Sequence, residues 1–273
     1  MSNSLHSLRP IQNFKEAKQL WSDGKLSGHT ALTNFFLSQR AIERATSAGV
    51  LWGFSVPGAS ILLRGDRDFF HLYANFADTA KFRSLLAKLP SNTVLVSDVL
   101  QRRESHRLMI QTLEQEGFTR YRELIRIERL PHNMPEPAPE ADIHYAKLTD
   151  ADYILGELEV NFDKFSEQLP DFDEIADAIS SNQILVALSD GRRAGFLFFE
   201  SSGQSSILRY WFVGPDFREK KMGSSLMRHY LMDACSNELS QLWVGRDNSN
   251  ATMRYNHYGY SELDLSDQIL IRK

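Results

Sequence analysis

The same order of apolar segments occurs twice along this 273-residue chain, and the repetition constrains the fold more than any other feature. In each half, three β-type runs precede a helix, a strand, a second helix and a final strand. The β-type runs are 50–56, 60–63 and 69–75 in the first half, and 183–188, 194–199 and 206–213 in the second. The pairs Gly117-Phe118 and Gly259-Tyr260 close the corresponding second helices, 142 residues apart. The repeat predicts two copies of one α/β (mixed α+β) domain, each a mostly antiparallel sheet flanked by helices.

A proline-rich segment separates the two copies. Four of the nine prolines lie between Pro131 and Pro139. Because proline fixes φ and removes a hydrogen-bond donor, this segment is expected to be a semi-rigid connector. We therefore expect an N-terminal domain at 1–130, a linker at 131–140 and a C-terminal domain at 141–273, each large enough to bury its own core.

Charge is distributed unevenly between the halves. Residues 1–135 carry a net charge of +6 and residues 136–273 a net charge of −10. The basic side chains of the first half are scattered and do not alternate with aromatic residues on one predicted face, so nucleic acid is not an expected partner. The acidic second half leaves room for a cationic substrate.

The sequence also bears on the compartment and on the type of chemistry. Apolar runs such as Ala194–Phe199 are far shorter than the roughly 18 residues that span a membrane, and no secretory signal is visible. The single cysteine, Cys235, cannot form an internal disulfide, which is typical of a reducing compartment, so we expect a cytoplasmic protein. No zinc-ligand spacing and no G-x-S-x-G motif occurs, so neither a metal nor serine hydrolase chemistry is expected.

One candidate site is the segment from Val213 to Leu226, VGPDFREKKMGSSL, which has the pattern of a strand, a polar turn and a helix. A helix start presents unpaired backbone amides and the positive end of the helix dipole, which together bind anions. Arg218, Lys220 and Lys221 add positive charge, so pyrophosphate is the natural ligand. Taken alone, the motif is a weak signal and favours an ordinary connection between a strand and a helix.

A second candidate lies in Asn248–Tyr260, which reads NSNATMRYNHYGY. Asn248 and Tyr255 are seven positions apart, or two helical turns, so they lie on one helix face. That face carries an amide and a phenol instead of an apolar stripe. A lone Tyr255 is also compatible with a half-buried side chain whose hydroxyl is satisfied within the fold.

In this order and at this spacing, the two segments resemble the GNAT superfamily of acyl-CoA-dependent N-acyltransferases. The resemblance covers about residues 141–273. The matching positions are Val213, Pro215, Arg218, Gly223 and Leu226 in the first segment, and Asn248, Ala251, Tyr255, Gly259 and Tyr260 in the second. Lys221 stands where the family usually has the first loop glycine, a departure that concerns the loop conformation and the affinity for the coenzyme.

The resemblance implies a role for each matching position. The loop amides would hold the pyrophosphate of coenzyme A; they belong to Arg218, Glu219, Lys220, Lys221, Met222, Gly223, Ser224 and Ser225. The backbone of Phe212 and Val213 would pair with the pantetheine arm and polarise the acyl carbonyl. Asn248 would contact the coenzyme, and Tyr255 would protonate the departing thiolate.

The acceptor amine must also lose a proton, which requires a base or a water path. Glu200 and Tyr210, on predicted strands, are candidates, and both are also compatible with a structural role. The resemblance implies that the loop after the first helix of this half borders the acceptor pocket. Aromatic and acidic residues in that loop are the candidate substrate contacts: Phe162, Asp163, Phe165 and Glu167. A solvated cap before the next helix is the alternative interpretation of this loop.

The first half lacks the counterparts of these residues. No glycine occurs between Gly65 and Gly117, so no phosphate loop can be drawn there. A shift of 142 residues places His106 opposite Asn248 and Leu113 opposite Tyr255. We expect a degenerate copy without coenzyme that serves as a packing partner or as a wall of the acceptor site.

The sequence thus predicts two tandem GNAT-like domains, of which only the second is catalytic. The expected reaction transfers an acetyl group from acetyl-CoA to a primary amine of a small molecule or peptide, by direct attack in a ternary complex and without a metal. Two alternatives stay open: an aminoacyl- or peptidyl-transferase with tRNA-borne donors, and a non-catalytic coenzyme A-binding or scaffold protein. A homodimer is compatible with the sequence.

Overall fold

The computed structural model describes residues 8–90, 92–101, 104–130, 142–234 and 239–273. The expected linker at 131–140 and Cys235 lie outside these ranges. The chain divides into two compact units, one made of Met1–Leu124 with Leu265–Lys273 and the other of Ile125–Asp264.

Strands and helices account for most of the described residues. The strands are β1 (Arg9–Pro10), β2 (Leu32–Thr33), β3 (Leu51–Val56), β4 (Ala59–Asp66), β5 (Phe69–Phe76), β6 (Leu95–Gln101), β7 (Thr119–Arg129), β8 (Asp142–Tyr145), β9 (Ile184–Ser189), β10 (Arg192–Ser202), β11 (Ser205–Val213), β12 (Leu239–Gly245) and β13 (Ser261–Arg272). The helices are α1 (Phe14–Asp23), α2 (Gln39–Ser47), α3 (Thr79–Leu86), α4 (Glu104–Gln115), α5 (Ala151–Asn161), α6 (Phe172–Ser180), α7 (Met222–His229) and α8 (Ser249–His257). Short 3-10 turns cover Leu148–Asp150 and Pro215–Lys220, and a π-helical turn, Tyr230–Ala234, follows α7. Within the described ranges, no helix is long and apolar enough to cross a membrane.

The first unit is a mixed sheet with helices on both faces. Its strand order is β1-β3-β4-β5-β6-β13, and β3, β4 and β5 form an antiparallel meander. Successive β4 residues alternate between the faces: Ile61 and Leu63 pack with α3 and α4, and Leu62 packs with α1 and α2. This alternation buries both faces of the strand, because neighbouring side chains on a strand point to opposite sides.

The second unit repeats this architecture. Its strand order is β8-β9-β10-β11-β12-β7, with β8 to β11 antiparallel. The β10 residues alternate in the same manner: Phe196 and Phe198 pack with α5 and α6, and Leu197 and Phe199 pack with α7. The three predicted runs of this half coincide with β9, β10 and β11, and the mixed, mostly antiparallel fold class is confirmed.

Strands β7 and β13 each belong partly to one unit and partly to the other. The end of β7 lies in the second unit, where Arg126 and Glu128 are hydrogen-bonded to the side chain of Gln241 on β12. The end of β13 lies in the first unit, paired antiparallel with β6 from Ser266 to Arg272. Residues 265–273 therefore pack in the first unit, whereas the sequence analysis assigned them to a domain at 141–273.

Candidate active site in the second unit

The second unit contains an open strand edge at the centre of its sheet. Strands β11 and β12 pair in parallel only from Ser205–Leu239 to Ile207–Gln241, although β11 continues to Val213 and β12 to Gly245. Beyond that point, β11 keeps its pairing with β10 on the other side, up to Gly195–Val213. Among the described strands, none pairs with the side of β11 that faces away from β10 beside Phe212 and Val213, so this edge is a candidate for pairing with a ligand.

A β-bulge lies where the two strands part. Phe198 of β10 pairs with Tyr210 and Phe199 pairs with Leu208, so Arg209 is an extra residue in β11. A bulge bends its strand and increases the local twist, and the β11–β12 pairing ends at Ile207, two residues before Arg209. The sequence motifs gave no indication of this bulge, because its cause is the register of the neighbouring strand.

The loop that connects β11 to α7 contains a left-handed residue and a closely packed glycine. Lys221, at the position of the family's loop glycine, has φ +60° and ψ +14°, the left-handed conformation that glycine adopts most easily. A Cβ on Gly223 would lie 3.3 Å from side-chain atoms of both Trp211 and Val213, so only glycine fits there without displacement of a neighbour. Lysine at position 221 is therefore compatible with the left-handed conformation that a glycine would adopt there.

The positive charges of this loop are only partly compensated. The Lys220 Nζ atom lies 2.9 Å from Oδ2 of Asp190 and 3.1 Å from Oγ of Ser189. The hydrogen bond from Lys220 lowers the pKa of the Asp190 carboxyl below its ordinary value. Arg218 and Lys221 are exposed and form no ion pair within the described part of the chain. Two cations are thus left beside the amides that begin α7.

The other predicted loop residues divide into exposed and anchoring positions. Glu219 is exposed and Met222 is half-buried against the core. Ser225 is buried, and its backbone N–H donates to the Lys221 carbonyl over 3.0 Å. Ser224 Oγ accepts a hydrogen bond from the Tyr258 hydroxyl of α8 over 3.0 Å, so α8 is joined to the start of α7. Tyr258 is not among the site residues predicted from the sequence.

Helix α8 places Tyr255 against the same strand. Asn248 caps this helix, because its Oδ1 accepts the N–H of Ala251 over 3.1 Å. The Tyr255 ring is half-buried, with its centroid 5.6 Å from those of Trp211 and Tyr260. Burial, and to a lesser extent the negative charge of Glu167, raises the pKa of Tyr255 above its ordinary value. The phenol therefore carries its proton at neutral pH, the state required of a general acid.

The predicted acceptor loop is an ordered turn. The Asp163 Oδ1 atom accepts three hydrogen bonds from within the loop: 2.9 Å from N of Phe165, 2.9 Å from N of Ser166 and 3.1 Å from Oγ of Ser166. The Phe162 ring packs edge-on against Tyr210, at 5.2 Å between centroids. In this structure the Asp163 carboxylate thus fixes the loop, and Phe162 attaches it to β11.

The two predicted base candidates, Glu200 and Tyr210, are both engaged with the bulge and this loop. Glu200 forms an ion pair with Arg209, the bulge residue. The Tyr210 hydroxyl lies 2.8 Å from the carbonyl oxygen of Glu167 and 3.1 Å from that of Gln168, to which it can donate. Burial raises the pKa of Tyr210, so this hydroxyl also keeps its proton. Arg209, which the sequence analysis missed, supports the same loop through its Nη2, 3.2 Å from the Gln168 carbonyl.

The corresponding place in the first unit is filled by the chain itself. Strands β5 and β6 also pair in parallel over only two positions, but β2 lies along the end of β5, with Leu32 opposite Phe76 and Thr33 opposite Asn75. The side chain of Asn34, 1% exposed, spans the parted strands. The Oδ1 atom of Asn34 accepts the N–H of Ala74 over 2.7 Å. Its Nδ2 atom lies within 3.1 Å of three acceptors, which are the carbonyls of Leu72 and Asp98 and the Oγ of Ser97.

The first unit also lacks the register shift that is present in the second. The pairing of β4 with β5 runs without a register shift from Ala59–Phe76 to Asp66–Phe69, so the first unit has no counterpart of the bulge at Arg209. Among the described residues of the chain, no group of three or more His, Cys, Asp and Glu side chains is arranged to hold a metal ion.

Comparison with known proteins agrees with this geometry. The family model of the acetyltransferase (GNAT) domain matches residues 147–268. No curated protein matches the chain significantly.

Solved structures extend the likeness beyond that segment. A GCN5-related N-acetyltransferase from Sphaerobacter thermophilus is 11% identical with a TM-score of 0.56, over 80% of this chain and 77% of the other. A GNAT-family acetyltransferase from Colwellia psychrerythraea is 12% identical with a TM-score of 0.55, over 97% and 98%. A tandem GNAT protein from the clavulanic acid biosynthesis pathway is 12% identical with a TM-score of 0.56, over 81% and 82%.

At these identities the structures establish a shared fold and say nothing about a substrate. The coverage of the Colwellia structure includes the first unit, so the N-terminal half shares in the likeness. The match to the family model is confined to the second half of the chain, where the open strand edge, the loop and Tyr255 lie. Residues 147–268 therefore match the model of the acetyltransferase (GNAT) domain, and the chain shares the fold of GNAT structures.

Proposed function

We propose that this protein is an N-acetyltransferase that transfers the acetyl group of acetyl-CoA to a primary amine. The observation that carries the proposal is the position of the open edge of β11 beside the amide-rich start of α7. An extended pantetheine arm can pair with a free strand edge, and a pyrophosphate can bind at a helix N-terminus. Both parts of acetyl-CoA thus find matching chemistry along one continuous path.

The mechanism follows from the groups along that path. The backbone amides of the loop, with Arg218 and Lys221, would bind the pyrophosphate, and an amide beside Phe212 or Val213 would polarise the thioester carbonyl. The amine nitrogen attacks the carbonyl carbon and releases one proton to solvent, the carbon–sulfur bond breaks, and the phenol of Tyr255 gives its proton to the sulfur. The products are the acetamide and coenzyme A, and Tyr255 is reprotonated from solvent.

We further infer that one chain binds one acetyl-CoA. In the first unit, Leu32, Thr33 and Asn34 occupy the place that the parted strands leave open in the second unit. The side-chain amide of Asn34 forms hydrogen bonds with backbone groups of β5 and β6 to which a pantetheine amide would otherwise bind. Only the second unit would then bind the coenzyme.

Replacement of Tyr255 by phenylalanine tests the proposed function. The variant keeps the ring that packs on Trp211 and Tyr260 but cannot donate a proton. We expect kcat to fall by about 10²–10⁴-fold, the range for loss of a general acid, with acetyl-CoA affinity nearly unchanged. The measurement is thiol release from acetyl-CoA in the presence of amines, with binding followed by calorimetry. An unaltered kcat would remove Tyr255 from the mechanism.

A further inference from the structure

Four buried hydroxyl groups meet where β11 and β12 are still paired. Ser206 of β11 and Ser240 of β12 lie opposite one another in the short parallel ladder of these strands. The hydroxyl of Tyr230 lies 2.9 Å from Oγ of Ser206 and 2.8 Å from Oγ of Ser240. The hydroxyl of Tyr260 lies 2.5 Å from the same Ser240 oxygen. These four residues are called the hydroxyl cluster below.

The hydroxyl cluster is closed to solvent and spans a weakly paired part of the sheet. Its serines and Tyr230 are fully buried, and Tyr260 is 3% exposed. Hydrogen bonds between buried groups strengthen one another, and removal of one member leaves its neighbours without a partner. The ladder at this place extends only from Ser205–Leu239 to Ile207–Gln241. The side-chain bridge therefore adds substantially to the few backbone hydrogen bonds that join the two strands.

Each tyrosine of the cluster belongs to a segment that adjoins the candidate coenzyme site. Tyr230 directly follows α7 and begins the π-helical turn, a rare conformation that recurs at functional sites. Tyr260 follows the end of α8, and its N–H donates to the carbonyl of Tyr255 over 3.2 Å. The rings of Tyr255 and Tyr260 also pack edge-on. The cluster thus connects α7 and α8 to the two strands at the last positions where these are paired.

The first unit joins its parted strands in a different way. Its counterpart of Gly259-Tyr260 is Gly117-Phe118, which has no hydroxyl, and Phe118 packs in the apolar core of that unit. There the side chain of Asn34 lies between the strands and binds backbone groups of both. The bridge of the first unit therefore fills the gap, whereas the hydroxyl cluster joins the strands at the closed end of the gap and leaves the rest unfilled.

We propose that the hydroxyl cluster fixes the point at which β11 and β12 part, so that Tyr230 and Tyr260 are positioning residues for the pantetheine arm of acetyl-CoA. The proposal rests on the proposed function and adds the residues that hold the strand edge in one arrangement. Without the bridge, the strands can part earlier along the ladder, and the edge beside Phe212 and Val213 shifts relative to the start of α7. The loop amides that would bind the pyrophosphate contain no member of the cluster.

Two ligands separate the effect on the arm from an effect on the pyrophosphate. Acetyl-CoA would use both the strand edge and the loop, whereas ADP carries a pyrophosphate but no pantetheine arm. Tyr230→Phe keeps the ring that packs on Phe199 and removes only the hydroxyl. We expect its affinity for acetyl-CoA to fall about two- to tenfold, the equivalent of one net hydrogen bond, with the affinity for ADP unchanged. Tyr260→Phe should show the same selective loss.

Two serine variants complete the experiment. Ser60→Ala is the matched control, because Ser60 is a buried serine of the first unit whose hydroxyl donates to the carbonyl of Asn75 over 3.2 Å. It should leave both affinities unchanged. Ser240→Ala removes the partner that both tyrosines share without the loss of a ring, and should also weaken acetyl-CoA selectively. It takes the place of a tyrosine variant that circular dichroism shows to be unfolded.

The outcomes separate the role of the cluster from the proposed function. Equal weakening of both ligands, or undiminished acetyl-CoA affinity in folded Tyr230→Phe and Ser240→Ala, would overturn the role of the cluster while the coenzyme site stands. The same selective loss in Ser60→Ala would also overturn it, because lost stability would then explain the effect. ADP that does not displace acetyl-CoA from the wild type would overturn the division into loop and arm. Failure of the wild type to bind acetyl-CoA would overturn the proposed function itself.

Discussion

Lys221 combines a strained backbone with an exposed positive charge, and two substitutions at this position separate the effects. At φ +60° a residue with a Cβ loses about 1–2 kcal/mol relative to the right-handed region. Glycine escapes this cost but loses about 0.5–1 kcal/mol more conformational entropy on folding. Lys221→Gly should therefore be more stable than the wild type by about 0.75 kcal/mol, within a range of about 0–1.5 kcal/mol, whereas Lys221→Ala, which keeps the Cβ, should not.

The assay is thermal unfolding of the three proteins in parallel, followed by circular dichroism. For a chain of this size, a gain of about 0.75 kcal/mol corresponds to a rise in Tm of about 1.5–3 °C. Both variants lose the same cation, so both should bind acetyl-CoA about two- to fivefold more weakly, as expected for an exposed charge pair. A Lys221→Gly protein that is less stable than Lys221→Ala would refute the strain argument. Undiminished acetyl-CoA affinity in both variants would refute a role for the Lys221 charge.

Two further predictions concern the first unit. Burial, and then the nearby Asp98, raises the pKa of Asp267 well above its ordinary value. The folded state therefore holds this proton more tightly than the unfolded state, and its contribution to stability is present at low pH and is lost as the pH rises from about 4 towards the raised pKa. Asp267→Asn should raise Tm increasingly over that interval, and a Tm difference independent of pH would contradict this. Asn34→Ala should destabilise the protein by about 1–3 kcal/mol, because the buried N–H of Ala74 loses its hydrogen-bond acceptor. Urea unfolding measures the change in the free energy of unfolding. A change below about 0.5 kcal/mol, about the smallest net value of one hydrogen bond, would contradict the prediction.

Local patterns predicted much of the second unit correctly. The apolar runs of the second half coincide with β9, β10 and β11, because buried strands require continuous β-type sequence. Gly117 and Gly259 end their helices at φ +86° and φ +85°, as the glycine-aromatic pairs suggest. These features depend only on residues close together in the sequence.

Features that depend on distant residues were not predictable. The extra residue Arg209 in β11 exists only relative to the register of β10, and its ion pair with Glu200 follows from that register. The placement of β13 beside β6, and of Asn34 between the parted strands, requires contacts between residues more than 60 positions apart. No motif in those segments encodes their partners.

At Lys221, the sequence predicts the position of the loop but not its backbone conformation. The sequence locates the substitution of lysine for the family's glycine but does not give the backbone conformation. In the structure Lys221 adopts the glycine-like conformation, and the glycine two residues later is the one that close packing against Trp211 and Val213 requires. The loop is therefore preserved by its surroundings as well as by its own sequence.

Calorimetric titration with acetyl-CoA tests the central claim most directly, with an Arg218→Ala, Gly223→Trp double variant as comparison. The variant removes a cation and places a large side chain where even a Cβ is crowded. Micromolar binding of one acetyl-CoA per chain by the wild type, with no binding by the variant, is the predicted result. Absence of binding by the wild type, or equal binding by the variant, would contradict a coenzyme site at the start of α7.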